Sequence, residues 1–302
     1  MRQWKELTAP NIFDILPAPK QINTPNQISS QSLPSIEYIS NETVFPVGEH
    51  AAQDLLSAFV DGTDAPIFSY AEERNRPDLN TTSKLSPFFR FGVLSIRQAV
   101  VTAHSALQSA ANETQRTGAE TWLNELIWRE FFNYILYHYP HALHKSFRQE
   151  YNHLLWSNDL EDFEAWKSGK TGYPLVDAAM RQLTAIGWMH NRTRMVSASF
   201  LVKNLLISWQ WGEAWFMQNL LDGDPAANNG GWQWVAGTGT DAAPYFRIFN
   251  PITQSEKFDP NGKYIRRWLP ELKSVPDRFI HTPWKMSLEE QKSSNCLIGE
   301  DY

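Results

Sequence analysis

Cysteine is almost missing from this chain of 302 residues: the single one, Cys296, excludes an internal disulfide framework and any cysteine cage for a metal. No apolar run approaches the roughly 20 residues that a helix needs to cross a bilayer. The N-terminus also lacks the basic, apolar and cleavable succession of a secretory leader. These absences point to a reducing cytoplasm and to no membrane partner. Positive charge is not in excess either: 27 Lys and Arg stand against 33 Asp and Glu, a formal net charge of −6, and the total alone argues mildly against nucleic acid as a partner. Long alternation of apolar and polar residues is scarce, which removes an all-β architecture.

Aromatic residues, by contrast, are abundant. Thirteen Trp, ten Tyr and seventeen Phe suit bound heteroaromatics, although such rings also simply fill cores. The charge is unevenly spread: no acid lies between Asp177 and Glu213, a window that holds Arg181, His190, Arg192, Arg194 and Lys203, and Lys257, Lys263, Arg266 and Arg267 cluster later. Such windows make either a basic face on an acidic protein or ordinary solvated helix faces.

Residues 8–46 contain six of the eighteen prolines amid Asn, Gln, Ser and Thr, so residues 1–46 read as a linker or wrapping segment. Residues 47–302 read as one all-α unit. Helices are expected over Glu49 to Val60 with Gly62 as a stop, Leu94 to Ala110, Thr121 to Tyr139, and Leu175 to Ile186 between Pro174 and Gly187. The next is expected from Asn191, whose side chain can cap it, to Trp211 before Gly212, and a short one from Glu213 to Leu221.

The run from Asp222 through Gly223, Asp224, Asn228, Asn229, Gly230, Gly231, Trp232 and Trp234 to Phe246 packs acids, amides, glycines and indoles together in the manner of a ligand site. Thr82, Ser83, Lys84, Leu85 and Ser86 offer hydroxyls, backbone amides and a cation, which suit phosphate and equally suit a turn with a helix cap. Glu125, Trp128 and Arg129 fall on one helix face, where a solvent-exposed pair of Glu125 with Arg129 is the simplest reading. Three patterns are set aside. Gly237 to Ala242 satisfies a dinucleotide fingerprint without a strand before it. His138, His141 and His144 are interrupted by Pro140, so no metal site is expected. Asn41-Glu-Thr and Asn112-Glu-Thr match glycosylation acceptors by chance.

Gly187 to Met195, Asp222 to Trp234 and Pro244 to Pro251, together with Trp122 to Phe131, Thr82 to Ser86, Glu256 to Pro260 and Trp268 to Leu272, resemble the flavin-binding domain of the DNA photolyase and cryptochrome family. They are most like its class I cyclobutane pyrimidine dimer photolyases. The resemblance implies an all-α fold, FAD as cofactor and damaged DNA as partner. It further implies a monomer without the N-terminal α/β antenna domain of the family, without an antenna chromophore, and with a shortened C-terminal tail. The activity implied is light-driven repair, in which excited reduced flavin lends an electron to a flipped-out dimer and the electron returns. The alternatives are a cryptochrome-like photoreceptor that binds FAD without repair, or an inactive remnant.

Residue by residue, the resemblance implies that Tyr70, Thr82, Ser83, Lys84, Leu85, Ser86, Trp122, Arg194, Asp222, Asp224 and Asn228 hold FAD. Asn228 matches the position facing flavin N5, where plant-type cryptochromes carry aspartate and insect-type ones cysteine. Glu125, Trp128, Asn191, Met195 and Trp234 match the lesion pocket, with Glu125 expected in a partly dry setting that raises its pKa. His190 followed by Asn191, where (6-4) enzymes carry two histidines, leans to the cyclobutane dimer. Trp232, Trp209 and Trp156 match an electron-transfer chain. Arg74, Arg129, Arg192, Arg247 and Gln254 match the DNA contacts.

Overall fold

The computed structural model describes residues 45–240 and 248–302, with Glu6, 19–21, 27–29 and 31–32. Most of the expected wrapping segment, Asn41 and Arg247 therefore lie outside the described residues. Among the described residues the elements are helices and short turns, with no strand. In chain order they are α1 (Glu49–Val60), α2 (Pro66–Glu73), α3 (Ser86–Arg90), α4 (Ile96–Ser109), α5 (Glu113–His138), α6 (Leu160–Lys167), α7 (Pro174–Ile186), α8 (Asn191–Ser199), α9 (Trp209–Asn219), α10 (Pro225–Ala236), α11 (Pro251–Phe258), α12 (Lys263–Trp268) and α13 (Leu288–Ser293).

Local chemistry explains most boundaries. Helix α5 opens eight residues earlier than the apolar pattern suggests, because Asn112 accepts from the Gln115 amide (3.0 Å) while Gln115 Oε1 accepts from the Ala111 amide (2.8 Å). That is a reciprocal cap. Helix α7 closes on Gly187 in the left-handed region at φ 65°. Pro140 ends α5 as expected, and a 3₁₀ turn, Pro140–Leu143, follows.

Two expectations fail here. Helix α8 is capped by the His190 ring, whose Nδ1 accepts from the Arg192 amide at 3.2 Å, not by Asn191, which is already helical. Nor does the helix run to Trp211: it passes into a π turn, Phe200–Asn204, and breaks at Leu206, whose φ is 54°. The break is imposed from outside the segment, since Leu206 O accepts from the Ser157 amide (2.8 Å) and Asn158 Oδ1 accepts from the Ser208 amide (2.8 Å). Gly212 stops nothing; it lies inside α9 because a Cβ there would overlap the Trp232 ring.

Two apolar cores result. The first joins α1, α2, α4 and the first half of α5 around Phe59, Ile67, Leu85 and Trp122. The second joins α6 to α10 with α12 around Trp166, Met180, Leu201, Trp209 and Trp232. Trp166 is fully buried and donates Nε1–H to Ser197 O at 3.0 Å, so no polar atom of that side chain is stranded. The second half of α5 crosses α10 so closely that a Cβ at Gly230 would overlap the Phe132 ring. The space left where α5, α8, α10 and the 82–86 segment converge is the site.

Candidate functional site

Two cavities meet at that convergence, of about 300 Å³ and about 280 Å³. Each falls near the lower end of the range for small-molecule sites, roughly 300–1,000 Å³. Glu125, Arg129, Asn191, Arg194, Asp222, Asp224 and Ala227 line both, so the two are lobes of one space. The first lobe adds Trp128, Met195, Asn228 and Trp232; the second adds Tyr70, Trp122 and every residue from Thr82 to Ser86.

Asp222 ties the lobes together. It is buried, accepts from Ser86 Oγ at 2.6 Å, and takes both of its oxygens to Arg194 Nη2 at 3.0 and 2.8 Å. Arg194 also donates Nε–H to Met189 O at 2.8 Å, so one carboxylate fixes the 82–86 segment against α8. Asp224 caps α10, accepting from the Ala226 and Ala227 amides at 3.0 and 2.9 Å with Oδ1 alone. Lys84 holds a left-handed φ of 52° and sets its ammonium 5.8 Å from the Trp188 ring centroid. Burial first, and Arg267 second, lower its pKa. Burial, then the Glu125 charge, raises that of Tyr70.

Asn228 gives both of its short contacts to one partner: Nδ2 donates to Glu213 Oε1 at 2.9 Å and to Glu213 O at 3.0 Å. Glu213 is itself half-buried, and desolvation raises its pKa against the opposing effects of Asn228 and His144. Glu125 is ion-paired with Arg74, not with Arg129, which turns to Glu130 at 2.7 Å. The Glu125 side chain is part-buried, 31% exposed. Trp128 stands at the mouth, 43% exposed, with Phe131 edge-on at 5.5 Å and Phe132 nearly parallel at 6.0 Å.

The remaining sequence-predicted residues lie elsewhere. Trp234 lines neither lobe and sits 6.3 Å from Phe249. Trp209 is buried and Trp156 packs on the same core, but the ring neighbours of Trp232 are Phe216 at 5.0 Å and Trp166 at 6.1 Å. Arg192 spends its guanidinium on Asn75 Oδ1 at 3.1 and 2.7 Å and lies 4.5 Å above Phe258. Gln254 lines neither lobe. Of the three tempting histidines, His138 packs on Tyr134 at 4.2 Å and His141 on Phe147 at 6.3 Å.

Sequence reasoning gave Trp188, His190, Glu213 and Arg90 no contact role at the site, the last donating Nε–H to Gly223 O at 2.5 Å. The first two carry the test of what the space takes. Trp188 Nε1, His190 Nε2 and Trp232 Nε1 are buried without a partner, and all three residues line the lobes. The His190 ring accepts at Nδ1 and is held neutral by burial, with the Arg194 and Arg192 charges adding to this, its pKa brought down to about 3. Its proton therefore sits on Nε2. A buried donor with no acceptor costs about 1–3 kcal/mol, so three such donors around an open space call for a guest rich in acceptors. The diphosphate, carbonyls and ring nitrogens of FAD are such a set, with Lys84, Thr82 and Ser83 beside them, and the residues fit it.

Comparison with known proteins agrees. Residues 122–302 match the family described as the FAD binding domain of DNA photolyase. The deoxyribodipyrimidine photo-lyase of Alkalihalophilus pseudofirmus is 47% identical over 256 residues, 85% of this chain and 52% of that protein. A class III photolyase structure from Agrobacterium tumefaciens superposes with a TM-score of 0.78 at 41% identity, over 86% of this chain and 52% of the other. A Synechocystis cryptochrome gives 0.80 at 39% identity, over 89% and 55%. The chain spans about half the length of the curated relatives it matches. A helical fold, an acceptor-seeking cavity and these likenesses together make the chain a member of the DNA photolyase family, carrying its FAD-binding domain.

Proposed function

We propose that this protein repairs cyclobutane pyrimidine dimers in DNA under blue light. The observation that carries the reading is that Glu125, Trp128, Asn191 and Met195 share one cavity wall with Asn228 and Trp232. Lesion chemistry and flavin chemistry thus face one space. Bound FAD supplies a light-excitable electron donor. Every other requirement falls to the chain.

Trp128, half-exposed at the mouth, offers a flat face to a dimer turned out of the duplex, which a mispaired lesion does more cheaply than a normal base. Asn191 and Met195 shape the wall below it. Glu125, in its protonated form, donates a hydrogen bond to a base carbonyl and stabilises the negative charge that appears there while the ring opens; the electron then returns, so nothing is oxidised overall. Asn228, with Nδ2 committed to Glu213, keeps its carbonyl oxygen for the cofactor. Tyr70, Trp122, Ser86, Leu85, Arg194, Asp222 and Asp224 close the cofactor lobe and exclude water. Trp232, Trp209 and Trp156 would relay electrons from an external reductant at the surface to keep bound flavin reduced, a step separate from the redox-neutral repair cycle. Arg74, Arg129, Arg192, Arg247 and Gln254 serve the DNA strand, Trp234 packs against the lesion, and residues 47–302 act as one monomeric unit in the cytoplasm.

The similarity to a cryptochrome structure supports one other reading, a photoreceptor without repair. An amide at 228 together with a carboxylate at 125 favours repair. The test is purification followed by absorption spectroscopy and binding to a dimer-containing oligonucleotide. A yellow or blue flavoprotein that prefers the lesion supports the proposal; a flavoprotein indifferent to the lesion supports the photoreceptor.

A further inference from the structure

We propose that Glu125 and Arg74 form a latch that withholds one phosphate contact until a lesion fills the cavity, so that the pair sets the discrimination between damaged and undamaged DNA. The inference rests on the repair reading above, and it concerns what the chain does before any light arrives.

Arg74 and Glu125 are 51 residues apart in sequence and joined by an ion pair. Their side chains are 28% and 31% exposed, which places the pair at the rim and not in the core. Glu125 lines both lobes, and Arg74 lines the second. A guanidinium so placed stands at the rim beside Glu125, yet it is already occupied.

The surroundings allow the side chain to turn while holding the backbone. The Arg74 amide donates to Tyr70 O at 2.9 Å, closing the end of α2. The next residue, Asn75, is gripped by Arg192 through two hydrogen bonds, and Arg192 is stacked on Phe258. Arg192 thus acts as a positioning residue for the segment. The Arg74 guanidinium lies 5.8 Å from the Tyr70 ring, a second attractive surface that does not fix its direction. Arg129, one turn further along α5, is engaged by Glu130, so Arg74 is the partner that Glu125 keeps.

A half-exposed ion pair biases such an equilibrium by a factor of about 1.5 to 5, small enough for a ligand to overturn. An extruded dimer brings ring N–H groups to Glu125, the carboxylate turns to accept from them, and Arg74 is released toward a phosphate. Undamaged duplex keeps its bases stacked and never reaches Glu125. Binding to damaged DNA therefore uses one more phosphate contact.

The test uses the flavin-loaded protein in the dark, with fluorescence anisotropy on a dimer-containing duplex and on its undamaged counterpart across a salt series. Each phosphate contact adds about 0.9 to the slope of log K against log salt, so the slope for damaged DNA should be steeper by about that amount. Glu125→Gln should tighten binding to undamaged DNA by up to about fivefold and steepen its slope, and Glu125→Ala should do the same. In an Arg74→Gln background neither change should have any effect on undamaged DNA. Equal tightening in both backgrounds would mean a general loss of negative charge and would overturn the latch, as would unchanged affinity and slope in a protein that still prefers the lesion. Absence of any lesion preference in the unaltered protein would sink the repair reading along with it.

Discussion

Acid should destabilise this protein partly through one buried imidazole. His190 is 3% exposed, and burial, with Arg194 and Arg192 behind it, brings its pKa from 6.5 down to about 3. Between those values the unfolded chain binds a proton that the folded one refuses. Stability supplied by the neutral ring is thus complete above about pH 6.5 and is lost as pH falls toward 3, at about 1.4 kcal/mol per pH unit. At pH 5 the loss reaches about 2 kcal/mol. Asp259 works in the opposite sense: burial raises its carboxyl to about 6, so its contribution is present at low pH and fades as pH rises through 6. The whole-protein profile mixes the two, and a difference between variants separates them. His190→Asn keeps an oxygen that can cap the Arg192 amide and carries no titrating group. Urea unfolding of both proteins at pH 7 and pH 5 should show the variant gaining about 2 kcal/mol relative to the parent on acidification. Parallel behaviour at the two pH values would refute a neutral, proton-refusing His190, and with it the assignment of its Nε2–H as a donor to the cavity.

Glu213→Ala should leave flavin content intact but free the Asn228 amide; a charged hydrogen bond of about 1.5–3 kcal/mol bounds the resulting shift of a one-electron flavin potential at about 65–130 mV in a spectroelectrochemical titration, and an unshifted potential would contradict the coupling. Asp222→Ala strips the half-buried Arg194 of its carboxylate and unties Ser86, so unfolding stability should drop by about 2–4 kcal/mol and purified protein should lose its flavin; retention of both would show that Asp222 is no hub. Gly212→Ala should cost about 1–3 kcal/mol of stability through overlap with Trp232, read as a lowered urea midpoint, and a neutral result would mean α9 can slide.

Local chemistry made much of the helical fold legible. The apolar spacing and Gly62 placed α1, and Pro174 with Gly187 bracketed α7 to within a residue. The cap formed by Asn112 and Gln115 is equally local, although in the sequence Asn112 stands out only within a chance glycosylation match. What sequence could not show was imposed across long separations. The break at Leu206 answers to Ser157 and Asn158, and the glycine that looked like a stop is instead a footprint of Trp232. The same holds in the site. Family motifs gathered Glu125, Trp128, Asn191, Asn228 and the 82–86 segment, which the fold does bring together. Partner choice was hidden, since spacing favours Arg129 for Glu125 whereas the fold delivers Arg74 from α2.

Direct repair is the most decisive measurement. Flavin-loaded protein, reduced and mixed with an oligonucleotide bearing one thymine dimer, is illuminated with blue light, and intact thymines are quantified by chromatography. The account predicts light-dependent restoration over many turnovers, absent in darkness and greatly slowed by Glu125→Ala. A bound, reduced flavin that leaves the dimer untouched under the same light would contradict it.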